Sequence, residues 1–141
     1  MSLTFRDATD SDVPMLAELN ERLIRDEGHR NRMSRVELAE RMRGWLSSGE
    51  YAAVLFEQDG VPAGYTLFRR EPDHVYLRQF YVVPDCRGSG VGRTAIDWLI
   101  ANRWSGAGRI RLDVLVGNEP GHAFWKSVGF TEYCVTMERD V

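Results

Sequence analysis

The feature that most constrains this chain is a glycine-rich segment between an apolar run and a helical pattern. The apolar run ends at Pro84, the segment Arg87-Gly88-Ser89-Gly90-Val91-Gly92-Arg93 follows, and apolar residues at helical spacing come next. Glycine adopts left-handed backbone conformations that other residues avoid. The pattern therefore predicts a strand, a tight loop and a helix whose first turn exposes backbone N–H groups.

Such a loop is suited to binding an anion, because a helix N-terminus combines free N–H groups with the positive end of the helix dipole. Each charge interaction there contributes only about 0.3–1 kcal/mol when exposed, so several amides must act together with Arg87 or Arg93. The alternative is a structural turn in which the glycines only permit positive φ. A P-loop is excluded because the loop has no lysine, and the dinucleotide fingerprint because Arg93 replaces its third glycine.

Length and composition predict one soluble domain over residues 1–141. The net charge of −3 and the pI of about 5.6 argue against a nucleic-acid partner. The polar N-terminus and the absence of a long apolar run argue against a signal peptide or a membrane partner. With only Cys86 and Cys134, we expect a reduced, cytoplasmic protein without a disulfide framework, and no metal site is predicted.

The first half of the chain predicts a strand, two helices and a hairpin. Pro14 fits the first turn of the first helix. Ser34 and Glu37 have the spacing of a capping box at the start of the second helix. Asp59-Gly60 lies between two strand-like runs and is a strong signal for an antiparallel hairpin.

The second half predicts a strand ending at Pro84, a helix after the glycine loop, a strand in "RIRLDVLVG", a fourth helix and a last strand in "FTEYCVTMERD". Asn118 is expected to cap the fourth helix and Gly129 to end it. The order is β-α-α-β-β-β-α-β-α-β. The expected fold class is α/β (α+β), with a mixed, mostly antiparallel central sheet flanked by about four helices.

Two stretches together resemble the GNAT superfamily of acetyl-CoA-dependent N-acetyltransferases. In "FYVVPDCRGSGVGR", Arg87, Gly90 and Gly92 fit the acyl-coenzyme A motif R/Q-x-x-G-x-G/A, and "LDVLVGNEPGHAFWKSVGF" follows about 30 residues later. The order of the predicted strands and helices also resembles that of the family, over essentially the whole chain. The resemblance implies a GNAT-like fold, acetyl-CoA (coenzyme A) as cofactor and an acyltransferase activity.

The resemblance also implies which residues contact the cofactor. Phe80, Tyr81 and Val82 match the strand whose backbone pairs with the pantetheine arm. Asn118 matches a pantetheine contact, although it is also an ordinary helix cap, and Phe124 and Trp125 match the helix beside the thiol, with core packing as the alternative. The residues that match the pyrophosphate-binding segment are Arg87, Gly88, Ser89, Gly90, Val91, Gly92 and Arg93.

The catalytic groups implied by the resemblance are incomplete. Trp125 occupies the position of the usual tyrosine acid, and an indole N–H cannot deliver a proton at neutral pH. Tyr133 is the candidate acid from the last predicted strand, unless it is only a packed side chain. Asp113 aligns with a base used by some members, unless it is a solvent-facing charge. Arg78 and Gln79 stand where other members carry a glutamate, and neither is a usable base.

The loop between the first two helices borders the acceptor pocket in similar proteins, which makes Glu27 and His29 candidates for binding the acceptor, with a polar connection as the alternative. We expect direct transfer to a primary amine of a small molecule or peptide in a ternary complex, since no base is placed to activate Cys86. A catalytically silent acyl-CoA-binding or regulatory domain and a nucleotide-binding module are the alternatives. A homodimer is one possible assembly.

Overall fold

The computed structural model describes residues 2–141, which form a five-stranded sheet and four α-helices. The strands lie in the order β1-β2-β3-β4-β5, with β1 to β4 antiparallel and β5 parallel to β4. This confirms the predicted mixed, mostly antiparallel sheet with four helices. In chain order the elements are β1 (Leu3–Asp7), α1 (Val13–Glu27), α2 (Arg35–Ser48), β2 (Ala52–Gln58), β3 (Val61–Arg70), β4 (Val75–Val82), α3 (Val91–Asn102), β5 (Ile110–Arg111) and α4 (Glu119–Ser127).

The helix boundaries follow from capping chemistry in the sequence. At the start of α2, the Ser34 hydroxyl accepts from the backbone N–H of Glu37, and the Glu37 carboxylate accepts from the backbone N–H of Ser34. Gly28 and Gly49 follow α1 and α2 in left-handed conformations, which close the last turn without a side-chain clash. The predicted capping box is confirmed.

The sheet separates two apolar layers because successive strand residues point to opposite faces. Ala53 and Leu55 of β2 pack toward α1 and α2, whereas Val54 and Phe56 pack toward α3. The glycine loop, between β4 and α3, therefore lies at the end of a strand that is anchored on both faces.

The β3–β4 pair contains a close approach and a bulge. Gly64 lies opposite Val82, and a Cβ at this position would be 2.1 Å from the Tyr81 carbonyl oxygen. Further along, Leu67 pairs with Gln79 and the next residue of β3 pairs with Leu77, which leaves Arg78 as the extra residue of a bulge in β4. The bulge changes the direction of the β4 side chains just past the point where the pairing with β5 ends.

The prediction of a last strand in "FTEYCVTMERD" is wrong, and β5 is far shorter than the strand predicted in "RIRLDVLVG". β5 pairs with β4 only through Ile110 and Arg111, so it offers almost no edge to which a further strand could bond. The described residues after α4 form no strand. Instead, the tail is held by side chains, among them Glu138, which accepts two hydrogen bonds from Arg30 at 2.8 and 2.7 Å.

None of the helices formed by residues 2–141 has the length and apolar character needed to cross a bilayer.

We expect Gly64→Ala to lower the free energy of unfolding by about 1–3 kcal/mol, because the added methyl group meets rigid backbone of β4 rather than a movable side chain. Gly44→Ala in the exposed middle of α2 is the control: nothing lies within 4 Å of a Cβ there, so it should stabilise by about 0.5–1 kcal/mol. Urea denaturation measures both. Equal free energies for Gly64→Ala and the wild type would contradict the close approach.

Candidate active site

The site begins where β4 and β5 separate. After the pair of Tyr76 and Arg111 the two strands have no further bridges, so among the described residues the β5-facing edge of β4 has no strand partner from Leu77 to Val82. The predicted pantetheine contacts, residues 80–82, lie on this stretch. An open strand edge presents N–H and C=O groups to an extended ligand that carries amides of its own.

The glycine loop follows at the end of this edge. Gly88 and Gly90 have φ of +79° and +85°, a region in which glycine avoids the steric cost paid by other residues. The hydroxyl of Ser89 donates to the Cys86 carbonyl at 2.9 Å, which fixes the turn from within. The loop is therefore an ordered turn whose backbone conformation depends on its glycines.

The backbone N–H groups of this loop are free. Within residues 2–141, none of the N–H groups of residues 88–93 donates a hydrogen bond, and the first to do so is Thr94, to the carbonyl of Gly90 at 2.9 Å. Gly90 is the N-cap of α3, so several of these groups belong to the helix N-terminus, where the dipole favours negative charge. A diphosphate fits this set of donors.

Arg87 ties the loop to α1 and to β4. Its Nε donates to the Val82 carbonyl at 2.8 Å, and its Nη2 lies 3.2 Å from Oδ2 of Asp26. The same carboxylate oxygen accepts from the Tyr81 hydroxyl at 2.8 Å. Burial and this hydrogen bond raise the pKa of Tyr81. Arg87 therefore holds the loop in place while adding positive charge beside it.

One contact joins α3 to the end of α4, and another caps the start of α4. The Nη2 of Arg93 donates to the Ser127 carbonyl at 2.6 Å. The side chain of Asn118 accepts from the backbone N–H of Gly121 at 3.1 Å, which confirms its role as a helix cap. Its predicted contact with pantetheine remains a prediction.

An aromatic cluster fills the space between β4 and α4. A Cβ on Gly92 would lie 2.8 Å from the ring of Phe124, so glycine permits α3 to approach α4. Phe124 stacks on Phe80 at 5.8 Å, and Trp125 makes edge contacts with Phe80, Phe124 and Phe130 at 5.2, 4.9 and 5.2 Å. Trp125 thus packs as an apolar ring where similar proteins place an acid.

The two candidate catalytic residues lie near the end of β5 in separate contacts. Asp113 is exposed, and its Oδ2 accepts from the Tyr76 hydroxyl at 2.9 Å. Burial and this carboxylate raise the pKa of Tyr76 to about 12, so its phenol stays protonated at neutral pH. Tyr133 is 81% exposed and lies under the guanidinium of Arg111 at 5.2 Å. Within residues 2–141 no hydrogen bond links Tyr133 to Asp113.

The acceptor candidates lie together at the end of α1. The Nε2 of His29 is 2.9 Å from Oε1 of Glu27. The charge of Glu27 contributes to a raised pKa of the buried Tyr65, after burial itself, and the Tyr65 hydroxyl donates to Gln79 at 2.7 Å. Glu27 therefore lies close to the sheet, whereas His29 lines an open depression of about 380 Å³ between α1 and α2.

The model of the acetyltransferase (GNAT) family matches residues 15–130. The chain belongs to this family. Its membership supports acetyl-CoA as the cosubstrate. A comparison with curated proteins gives no match.

Solved structures show the same GNAT fold at low sequence identity. A predicted acetyltransferase from Clostridium acetobutylicum, crystallised with acetyl-CoA, is 19% identical with a TM-score of 0.78, over 99% of this chain and 96% of that one. An aminoglycoside N-acetyltransferase, AAC(6')-Iy, in complex with CoA is 18% identical with a TM-score of 0.79, over 99% and 95%. A ribosomal-protein-alanine N-acetyltransferase from Brucella melitensis biovar Abortus 2308 is 17% identical with a TM-score of 0.74, over 99% and 100%.

Sequence reasoning missed two contacts that shape the site of this GNAT protein. The bond of Tyr76 to Asp113 depends on strand register. Asp26 joins Tyr81 and Arg87 across 55 and 61 residues of sequence. Neither contact has a local signal, because each is made between elements far apart in the chain.

Proposed function

We propose that this acetyltransferase transfers the acetyl group of acetyl-CoA to a primary amine by direct transfer in a ternary complex. The observation that carries the proposal is the set of free N–H groups on residues 88–93 at the end of an open strand edge. Acetyl-CoA supplies the thioester that an amine attacks.

The cofactor would lie in an extended conformation along the glycine loop and the free edge of β4. The N–H groups of residues 88–93 would bind the diphosphate, with Arg87 adding charge at the same end. The backbone of residues 80–82 would pair with the pantetheine amides, and Asn118, at the start of α4, would contact the same arm. Phe124 and Trp125 pack on Phe80 and would form one wall of this binding site.

The reaction needs a neutral amine, so a base must accept its proton. Asp113 is our candidate base because it follows β5, where β4 and β5 separate. Its carboxylate is exposed and is held by a hydrogen bond from Tyr76. We assign proton transfer to Asp113 through water, since aspartate is one methylene shorter than the glutamate of similar proteins. Tyr133 is the candidate acid for the leaving thiolate, supported by its position over Arg111 beside the same segment.

Glu27 and His29 are proposed to bind the acceptor. Their mutual contact places a carboxylate and an imidazole together at the end of α1, where a cationic amine can be received and its proton relayed.

One observation favours a second function, an acyl-CoA-binding or regulatory domain without catalysis. Trp125 is packed among three phenylalanine rings at the position of the usual acid. Tight binding of acetyl-CoA with no thiol release across a broad amine panel would select this function. Competition by ATP as effective as by CoA would instead select a nucleotide-binding module.

We expect Gly90→Ala to weaken acetyl-CoA binding by roughly tenfold, because an alanine forced to positive φ costs about 1–2 kcal/mol and shifts the amides of the loop. Gly106→Ala is a matched control, since Gly106 has φ of +78° and open space around it but lies outside the loop. Calorimetry measures both affinities. The loop assignment is contradicted if the two variants bind acetyl-CoA equally well.

Asp113→Asn should lower kcat by about 10²–10⁴-fold, the usual effect of losing a general base, with acetyl-CoA affinity nearly unchanged. Asp97→Asn is the control, because Asp97 is exposed on α3 and makes no hydrogen bond or ion pair within residues 2–141. Thiol release measures the rates. A rate for Asp113→Asn within threefold of the wild type would show that another group accepts the proton.

A further inference from the structure

Two arginines share one tryptophan ring on the α1–α2 side of the sheet. The guanidinium carbons of Arg41, on α2, and Arg78, on β4, lie 4.5 and 4.7 Å from the centroid of the Trp45 ring. We call these three residues the arginine cluster. Its two charges come from elements far apart in sequence, so the fold brings them together.

The β4 bulge explains why Arg78 belongs to this cluster. As the extra residue in β4, it has no partner on β3, and its side chain turns to the face that already carries Gln79. There its Nη1 lies 3.4 Å from the Tyr51 hydroxyl and its guanidinium 5.7 Å from the Tyr51 ring. A regular strand would alternate these two neighbours between faces.

The positive charge of the arginine cluster is not compensated by the protein. Within residues 2–141, neither Arg41 nor Arg78 has a carboxylate within 4.0 Å, whereas the neighbouring Arg69 forms an ion pair with Glu71. The pKa of Arg41 is lowered by burial and by the charge of Arg78. The Nε of Arg41 is also buried without a hydrogen-bond partner. Holding the exposed Arg78 guanidinium next to the partly buried Arg41 guanidinium is costly unless an anion joins them.

The arginine cluster is connected to the candidate base. Arg78 and Arg69 both donate to the Tyr51 hydroxyl, and the Arg69 guanidinium lies 5.2 Å from the Tyr76 ring. Tyr76 in turn donates to Asp113. A chain of direct contacts therefore runs from uncompensated positive charge to a carboxylate at the opening between β4 and β5.

We propose that the acceptor is a primary amine that also carries an anionic group, a carboxylate or a phosphoryl group, which the arginine cluster binds. The inference rests on the proposed acetyltransferase function. Its physical basis is that guanidinium groups bind such anions through charge-assisted hydrogen bonds, while Asp113 accepts the proton of the amine through water. The same charges disfavour a polycationic acceptor.

The test compares acceptors that differ only in the anion. L-amino acids are paired with their carboxamides, phosphoethanolamine is paired with ethanolamine, and spermidine is the cationic member, with thiol release as the readout. We expect the anionic member of a pair to have a kcat/KM about tenfold or more above its neutral counterpart. The two pairs distinguish a carboxylate from a phosphoryl group.

Variants assign the preference to the arginine cluster. Arg78→Gln and Arg41→Gln should raise KM for the anionic acceptor by about tenfold or more, and should raise KM for its neutral counterpart much less. Arg78→Lys should retain part of the affinity. Arg43→Gln, an exposed position on the same helix that faces Asp10 at 3.4 Å, should behave as the wild type. Circular dichroism confirms that each variant is folded.

A second readout does not need turnover. The indole N–H signal of Trp45, assigned from Trp45→Phe, should shift when an anionic amine is added to the CoA complex, and should not shift with its neutral counterpart. Equal or better turnover of neutral or cationic amines would overturn this inference and leave the acetyltransferase function standing. Absence of acetyl-CoA binding would overturn the proposed function. If acetyl-CoA binds but no amine reacts, the Trp45 signal decides. No shift of this signal with any anionic amine overturns the inference, and a shift with anionic amines alone supports it.

Discussion

The separation of β4 from β5 after two residue pairs is the constraint on which the rest of the structure depends. Had the pairing continued, the edge of β4 from Leu77 to Val82 would be satisfied by β5 and closed to a ligand. Because it stops, a buried central strand keeps one free edge, and the glycine loop lies at the end of that edge. The loop's free N–H groups and the open strand then form one continuous row of donors and acceptors.

Small residues and one bulge hold this arrangement in place. Gly64 lets β3 approach β4, and Gly92 lets α3 approach the ring of Phe124, so the loop between β4 and α3 is fixed from both sides. The bulge at Arg78 then turns a charged side chain toward α2. Binding of the cofactor and selection of the acceptor thus depend on the same strand, through its edge and through its bulged residue.

Much of this fold could be predicted from local signals. The capping box of Ser34, the Asp59-Gly60 turn and the glycine loop each specify their own conformation. The length of β5 could not be predicted, because strand pairing depends on the register of the partner strand. The segment "RIRLDVLVG" alternates apolar and polar residues whether or not a neighbouring strand pairs with it. The Tyr76–Asp113 bond and the Arg41–Trp45–Arg78 contacts were missed for the same reason.

The main-chain amides of residues 88–93 are proposed to bind the diphosphate of coenzyme A. Backbone ¹H–¹⁵N spectra during titration with CoA test this proposal most directly, with pantetheine, which lacks the diphosphate, as the comparison. We predict that CoA shifts these amides most strongly and that pantetheine leaves them nearly unmoved while perturbing residues 80–82. Largest CoA shifts elsewhere, such as at the depression between α1 and α2, would contradict the claim.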